Sequence, residues 1–425
     1  MGYEVSEDCL YLNVVRPSGR GVDLRYNLSF IVANSVAMGQ PIIGVTIKYR
    51  FSAWDRLQSE EVNGSGSSNF GLCDNATIWG QSAGAASVGL HITAYNGRDD
   101  HLFRSAIMES GNPIFFGRQN RTGYYQLSYN NLTEQAGCSK AADSLQCLRQ
   151  VPFANLNAVI NTATLSTIWL PQIDGDIIQR HSSQQVVDGS FVRVPIILGA
   201  NSDEGTPFSP LGMNNTQAFE ISLLSSGMNT SFTQKILAAY PDDPTVEILA
   251  SLRPTFRPGP PQGAEYRRAA TYYGDYSFIA SRRLSCTTWA NVGLSAYCYR
   301  FNAIPAWAGP LDGATHFVEV EFAMLNLDGV GYAPVRTPPF QGKPKPYTDL
   351  AKLMSSDWVS FIAQGDPNAW EGRKRAGVPA WPASSAREPK DFVYDANVTS
   401  YLEDDTWSTE GISIINSGNL DVFDH

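Results

Sequence analysis

Thr77-Ile78-Trp79-Gly80-Gln81-Ser82-Ala83-Gly84-Ala85-Ala86-Ser87 is the stretch from which the rest of the chain is read. An apolar, β-prone triplet runs into Gly-Gln-Ser-Ala-Gly, and a run of small residues that reads as a helix follows. A strand-to-helix turn this tight strains the backbone at its apex, and glycines two residues either side of the serine let strand and helix approach without colliding side chains. The Ser82 hydroxyl is then pushed out beyond the sheet at the N-terminal end of a helix, where backbone N–H groups can meet developing negative charge. This is the sequence pattern of a nucleophile elbow.

Outward from the elbow, apolar runs alternate with helical patterns, which predicts an α/β chain with a mostly parallel central sheet and helices on both faces. Strands are expected at 10–15, 42–49, 77–79, 105–108, 194–199, 295–301 and 392–394. Leu350, Leu353, Met354, Trp358, Phe361 and Ile362 make an amphipathic helical stripe that Gly365-Asp366-Pro367 stops. Two stretches, about 112–171 and 206–291, are too long for simple crossovers and read as cap-like insertions above the sheet, walling a cleft at the carboxyl ends of the strands. The organisation predicted is a single domain over 1–425.

Composition bounds the function. Of 425 residues, 43% are hydrophobic and 17% charged, which marks a globular chain. A formal charge of −10 without any Lys/Arg-rich run argues against nucleic acid or an anionic membrane as partner, and no apolar stretch is long enough to span a bilayer. The first residues carry no basic region followed by an apolar one, so the chain as written shows no secretory signal. Sequons at Asn27, Asn63, Asn75, Asn120, Asn131, Asn214, Asn229 and Asn397 nevertheless suit a secreted glycoprotein. Among six cysteines, Cys138 with Cys147 and Cys286 with Cys298 are the expected disulfides, and Cys9 and Cys73 have no evident mates.

A serine hydroxyl needs a base, and the chain holds five histidines. His425 ends the chain and is expected to fray, His181 sits in a polar segment that reads as an exposed turn, and His91 and His101 follow the elbow helix too closely to swing back over its start. His316, in Gly313-Ala314-Thr315-His316-Phe317, remains. Nucleophile, acid and histidine follow in that chain order when the serine occupies such an elbow, the acid lying at a strand's carboxyl end. The buried strand at 194–199 exits into Ala200-Asn201-Ser202-Asp203-Glu204-Gly205, so Asp203 or Glu204 is placed to orient His316. Gln81 and Ser110 are candidates to tune the site, and Trp169, Phe317 and Trp307 to line it.

These residues carry a family likeness. Ser6-Glu7-Asp8-Cys9-Leu10-Tyr11-Leu12-Asn13-Val14 and Ile78-Trp79-Gly80-Gln81-Ser82-Ala83-Gly84-Ala85 resemble the two signatures of the type-B carboxylesterases, the group of cholinesterases and fungal lipases. Met108-Glu109-Ser110-Gly111, Asn201-Ser202-Asp203-Glu204-Gly205 and the His316 segment through Val320 resemble that family's later motifs. The resemblance implies an α/β-hydrolase fold and hydrolysis of small-molecule or lipid carboxylic esters, with no cofactor and no metal. It implies Ser82 as nucleophile, Glu204 rather than Asp203 as acid, His316 as base, and Ala83 as one oxyanion-hole donor.

Three departures from the family pattern stand out. The chain contains no Gly-Gly pair, so the glycine loop that supplies the family's other oxyanion donors is missing, with only Gly19 and Gly21 near its expected place. Loss of one such donor typically costs about 100- to 1,000-fold in turnover, so impaired activity is expected. Residues 50–75 are polar and Gly/Ser-rich where a crossover helix is expected, which predicts an uncovered sheet face. The family's N-terminal β-region, and with it the usual partner of Cys9, is also absent, so the chain reads as a truncated or mis-spliced product. Two other readings follow: a non-catalytic binding or adhesion relative, and a product that does not fold independently.

Overall fold

The computed structural model describes residues 12–15, 23–47, 77–114, 117–120, 122–162, 169–246 and 255–425. Cys9, Cys73, Gly19, Gly21, Asn63, Asn75 and the 50–75 stretch lie outside them. In chain order the elements are β1 (Leu12–Val15), α1 (Ser29–Ala37), β2 (Gly44–Ile47), β3 (Thr77–Gln81), α2 (Ala83–Gly97), β4 (Ser105–Glu109), α3 (Thr122–Gln135), α4 (Ser144–Gln150), α5 (Phe153–Ile160), α6 (Ser182–Val187) and β5 (Ile196–Asn201). There follow α7 (Thr216–Ser225), α8 (Thr230–Ala239), α9 (Tyr266–Gly274), α10 (Ala280–Asn291), β6 (Ala296–Phe301), α11 (Val320–Ala323), α12 (Lys345–Gln364), β7 (Lys390–Tyr394), β8 (Tyr401–Asp404) and α13 (Thr409–Ser417).

Strands β3 to β8 form a six-stranded sheet in sequence order, parallel from β3 to β7 and closed by an antiparallel β8. Alternation along the strands divides two cores. Ile107, Ile197, Tyr299 and Phe301 point to one face, where Ile31 and Val32 of α1 and Leu350, Met354 and Trp358 of α12 cover them. Ala106, Met108, Ile196, Leu198 and Cys298 point to the other, under Val88 and Ile92 of α2 and Trp289 of α10. Both faces of the central strands are thus covered.

Several expectations are corrected. β1 and β2 pair only with each other, antiparallel, as a separate two-stranded sheet among the described residues. β8 was not expected, because Tyr401-Leu402-Glu403-Asp404 is too polar to read as a strand and is half-exposed at a sheet edge. The stretch 206–291 divides: α7 and α8 pack in a core of their own with α9 and α13, while α10 passes beneath the sheet as a crossover helix. The helix at 345–364 ends as read, with Gly365 at φ +75° donating its N–H to Phe361 O. Both expected disulfides are formed, Cys138–Cys147 within the α3–α5 segment and Cys286–Cys298 between α10 and β6.

Candidate active site

Ser82 caps the N-terminus of α2 at φ 56°, ψ −120°, a conformation a side-chain-bearing residue rarely adopts. Strain of this kind costs about 1–3 kcal/mol and needs surrounding structure to hold it. The Ser82 N–H donates to Glu109 O at 2.9 Å, which ties the apex to β4, and Ser82 O accepts from Ala86 N at 2.9 Å. Gly80 is required by space, since a Cβ there would lie 2.2 Å from the Gly84 carbonyl carbon. Gly84 is not: a Cβ on it would meet nothing within 4 Å, which corrects the symmetric role read for the two glycines. Ala83 is the exposed first residue of α2, so its N–H has no intrahelical acceptor.

β5 leads into Asn201-Ser202-Asp203-Glu204, where the two carboxylates separate. Glu204, 1% exposed, places Oε2 2.6 Å from His316 Nδ1 and accepts Asn201 N–H on Oε1 at 2.7 Å. Asp203 instead takes the Ala314 N–H at 2.6 Å and does not bond the imidazole. Of the two carboxylates, Glu204 is the one that bonds His316. The His316 ring stacks on Phe278, with centroids 4.8 Å apart, and meets Phe208 edge-on at 5.1 Å. Burial opposes protonation of His316, but the Glu204 carboxylate and its hydrogen bond, with Glu319 behind, outweigh it and raise the imidazole above its usual pKa.

The Ser82 hydroxyl makes no hydrogen bond to His316. The ends of β3 and β5 are two strand spacings apart, about 10 Å. A carboxylate–imidazole–hydroxyl relay spans about 7–8 Å through two hydrogen bonds, so the scale of the gap suits an imidazole reaching from one strand end toward the other.

Sequence reading missed a layer of buried carboxylates behind these groups. Glu319, fully buried three residues after His316, accepts from Ser110 Oγ at 3.0 Å and from Asn201 Nδ2. Glu109, at the end of β4, accepts from Trp358 Nε1 at 2.7 Å. Burial raises both above their ordinary values, reinforced for Glu109 by the charge of Glu319 and for Glu319 by that of Glu204. The available signal was Glu319 one turn beyond the histidine, but nothing in the sequence shows its partners. Gln81, next to Ser82, accepts from Tyr26 OH at 3.3 Å.

The other candidates disperse. Phe317 lies beside the histidine and packs edge-on against Tyr26. Trp169 stacks on Tyr125 within the α3–α5 core, and Trp307 donates to Glu321, so neither was placed by sequence. His181 is not in an exposed turn: it bonds Asp424 at 2.7 Å and precedes α6. His425 is not frayed but 3% exposed, its N–H donating to Asn419 O.

With this geometry in place, the carboxylesterase family model matches residues 71–405. The chain belongs to the carboxylesterase family. This carboxylesterase-family chain is 30% identical over 422 residues to secreted lipase 1 of Botryotinia fuckeliana, covering 85% of the chain and 69% of that protein. It is 28% identical to lipase 2 of Geotrichum candidum, covering 69% of the chain but 62% of the lipase, so it spans about two thirds or less of several relatives' length. Among solved structures it superposes on EstA of Aspergillus niger with a TM-score of 0.79 at 23% identity, over 98% of the chain and 84% of EstA. The carboxylesterase EST55 of Geobacillus stearothermophilus gives 0.70 at 22% identity, over 95% and 85%. The fold is that of the α/β-hydrolases.

Proposed function

We propose that the chain hydrolyses carboxylic esters through an acyl-enzyme on Ser82, with His316 as general base and Glu204 as its orienting acid. The observation that supports this most is the buried Glu204–His316 bond at the end of β5, two strands from a strained serine at the end of β3. Ser82 Oγ attacks the ester carbonyl carbon as His316 takes its proton, and Glu204 stabilises the imidazolium. The tetrahedral oxyanion forms within reach of the Ala83 N–H, then collapses, breaking the bond to the alcohol oxygen, which leaves with the histidine's proton. Water repeats the two steps and releases the acid.

The absent Gly-Gly pair supports low turnover, because each oxyanion donor is worth about 3–4 kcal/mol of transition-state stabilisation. The substrates proposed are small-molecule or lipid esters, in line with relatives named as lipases, and the place of action proposed is extracellular, in line with relatives named as secreted. A second reading, a binding relative without catalysis, is favoured by the lack of a hydrogen bond between Ser82 and His316 and by the missing glycine pair. Hydrolysis of short- and long-chain p-nitrophenyl esters beside Ser82→Ala separates them. Turnover that vanishes in Ser82→Ala supports the esterase; no turnover, or turnover indifferent to that substitution, supports the binding relative.

A further inference from the structure

Asp203 and Glu204 are consecutive and buried, and they grip the same loop at two points. Glu204 holds the imidazole of His316; Asp203 holds the backbone that carries it. Asp203 Oδ2 accepts the Ala314 N–H at 2.6 Å, and the Asp203 N–H donates to Ala314 O at 3.0 Å. The two segments pair as a single parallel bridge, Asp203 with Thr315. Gly313 makes room for this: its φ is +65°, and a Cβ there would stand 2.2 Å from Asp203 Oδ2. The Thr206 hydroxyl lies 2.9 Å from Asp312 O and 2.7 Å from Thr315 Oγ1, and Asn201 Nδ2 donates to Thr315 O at 2.8 Å. His316 itself stands in a turn between β6 and α11, so these ties and its bond to Glu204 set its position.

We propose that Asp203 is a positioning residue for His316: its carboxylate fixes the 313–315 backbone so that the imidazole holds its bond to Glu204 while facing the serine. The proposal rests on the ester-hydrolase reading above. The physical ground is that a charge-assisted hydrogen bond to main chain is short and directional, and that displacing a catalytic group by about 1 Å can cost about 100-fold in rate. Asp203 does not touch substrate in this account. It acts through the loop.

The test compares Asp203→Ala and Asp203→Asn in the full chain. Five quantities are read: kcat and KM on p-nitrophenyl butyrate, the melting curve, the exchange rate of the Ala314 amide, and the low-field Nδ1 proton of His316 by NMR. Asp203→Ala is expected to lower kcat about 10- to 100-fold with KM changed less than about twofold, and to speed Ala314 exchange by a similar factor. Asp203→Asn keeps an acceptor and is expected to recover kcat to within about threefold of the parent. Wild-type kcat in Asp203→Ala overturns the proposal. So does equal loss in both variants while both melt like the parent. If Asp203→Ala does not fold, exchange in the parent decides: an Ala314 amide as fast as an unstructured loop overturns the clamp, and a protected one supports it. A parent without Ser82-dependent turnover would sink the hydrolase reading instead, and Ala314 exchange and the Nδ1 proton would still judge the clamp.

Discussion

The two glycines of Gly80-Gln81-Ser82-Ala83-Gly84 look alike in sequence and differ in space, which gives the first prediction. Gly80→Ala forces a carbon onto the Gly84 carbonyl and is expected to cost more than about 2 kcal/mol or prevent folding. Gly84→Ala meets open space in a helix and is expected to leave the melting midpoint unchanged or raise stability by about 0.5–1 kcal/mol; thermal melts of the two variants check both. The histidine gives the second. The proposed mechanism needs neutral His316, so kcat/KM is expected to fall as pH drops through a pKa above the usual 6.5. In Glu204→Gln the opposing burial dominates, and the acid limb is expected to move to lower pH while kcat drops. The same raised pKa contributes stability that is present below about pH 6.5 and lost as pH rises through the folded-state value. At this scale the strained turn at Ser82 was legible in local sequence, and likeness singled out the carboxylate that bonds His316. It could not disclose Glu319, whose partners Ser110 and Asn201 lie more than a hundred residues away, nor that His181 would find Asp424.

Elements were legible where burial writes a pattern. The parallel strands β4 to β6 are largely apolar runs because both faces are covered, and α12 shows its stripe and its glycine stop. β8 was illegible because an edge strand carries charge on purpose, here Glu403 and Asp404, which pair with Arg300 and Lys390. The α9–α10 run reads as insertion in sequence; its aromatic-rich first half packs with α7, α8 and α13 and its second half with the sheet. Cys286–Cys298 ties that second half to β6, with both sulfurs buried. The double variant Cys286→Ala, Cys298→Ala is expected to lose about 2–4 kcal/mol of stability in urea unfolding under non-reducing conditions.

For the whole molecule, buried acids make stability depend on pH. Burial pushes Asp275 up to about 7, against the Tyr240 hydrogen bond, and pushes Glu321 up to about 8, against those of Tyr332 and Trp307. The folded state then holds protons that the unfolded state releases, so this contribution to stability falls as pH rises from about 4 to 7 or 8. Asp275→Asn is expected to flatten the pH dependence of the unfolding free energy across that window relative to the parent, by up to about 1.4 kcal/mol per pH unit, read by urea unfolding at a series of pH values. The chemistry proposed for the site needs more than fold, because the family fold alone does not guarantee turnover. Reaction of the folded chain with a fluorophosphonate, followed by peptide mass spectrometry, tests it most directly. The account predicts a single covalent adduct on Ser82 that His316→Ala abolishes; no adduct in a cooperatively melting sample, or one that persists without the imidazole, would contradict it.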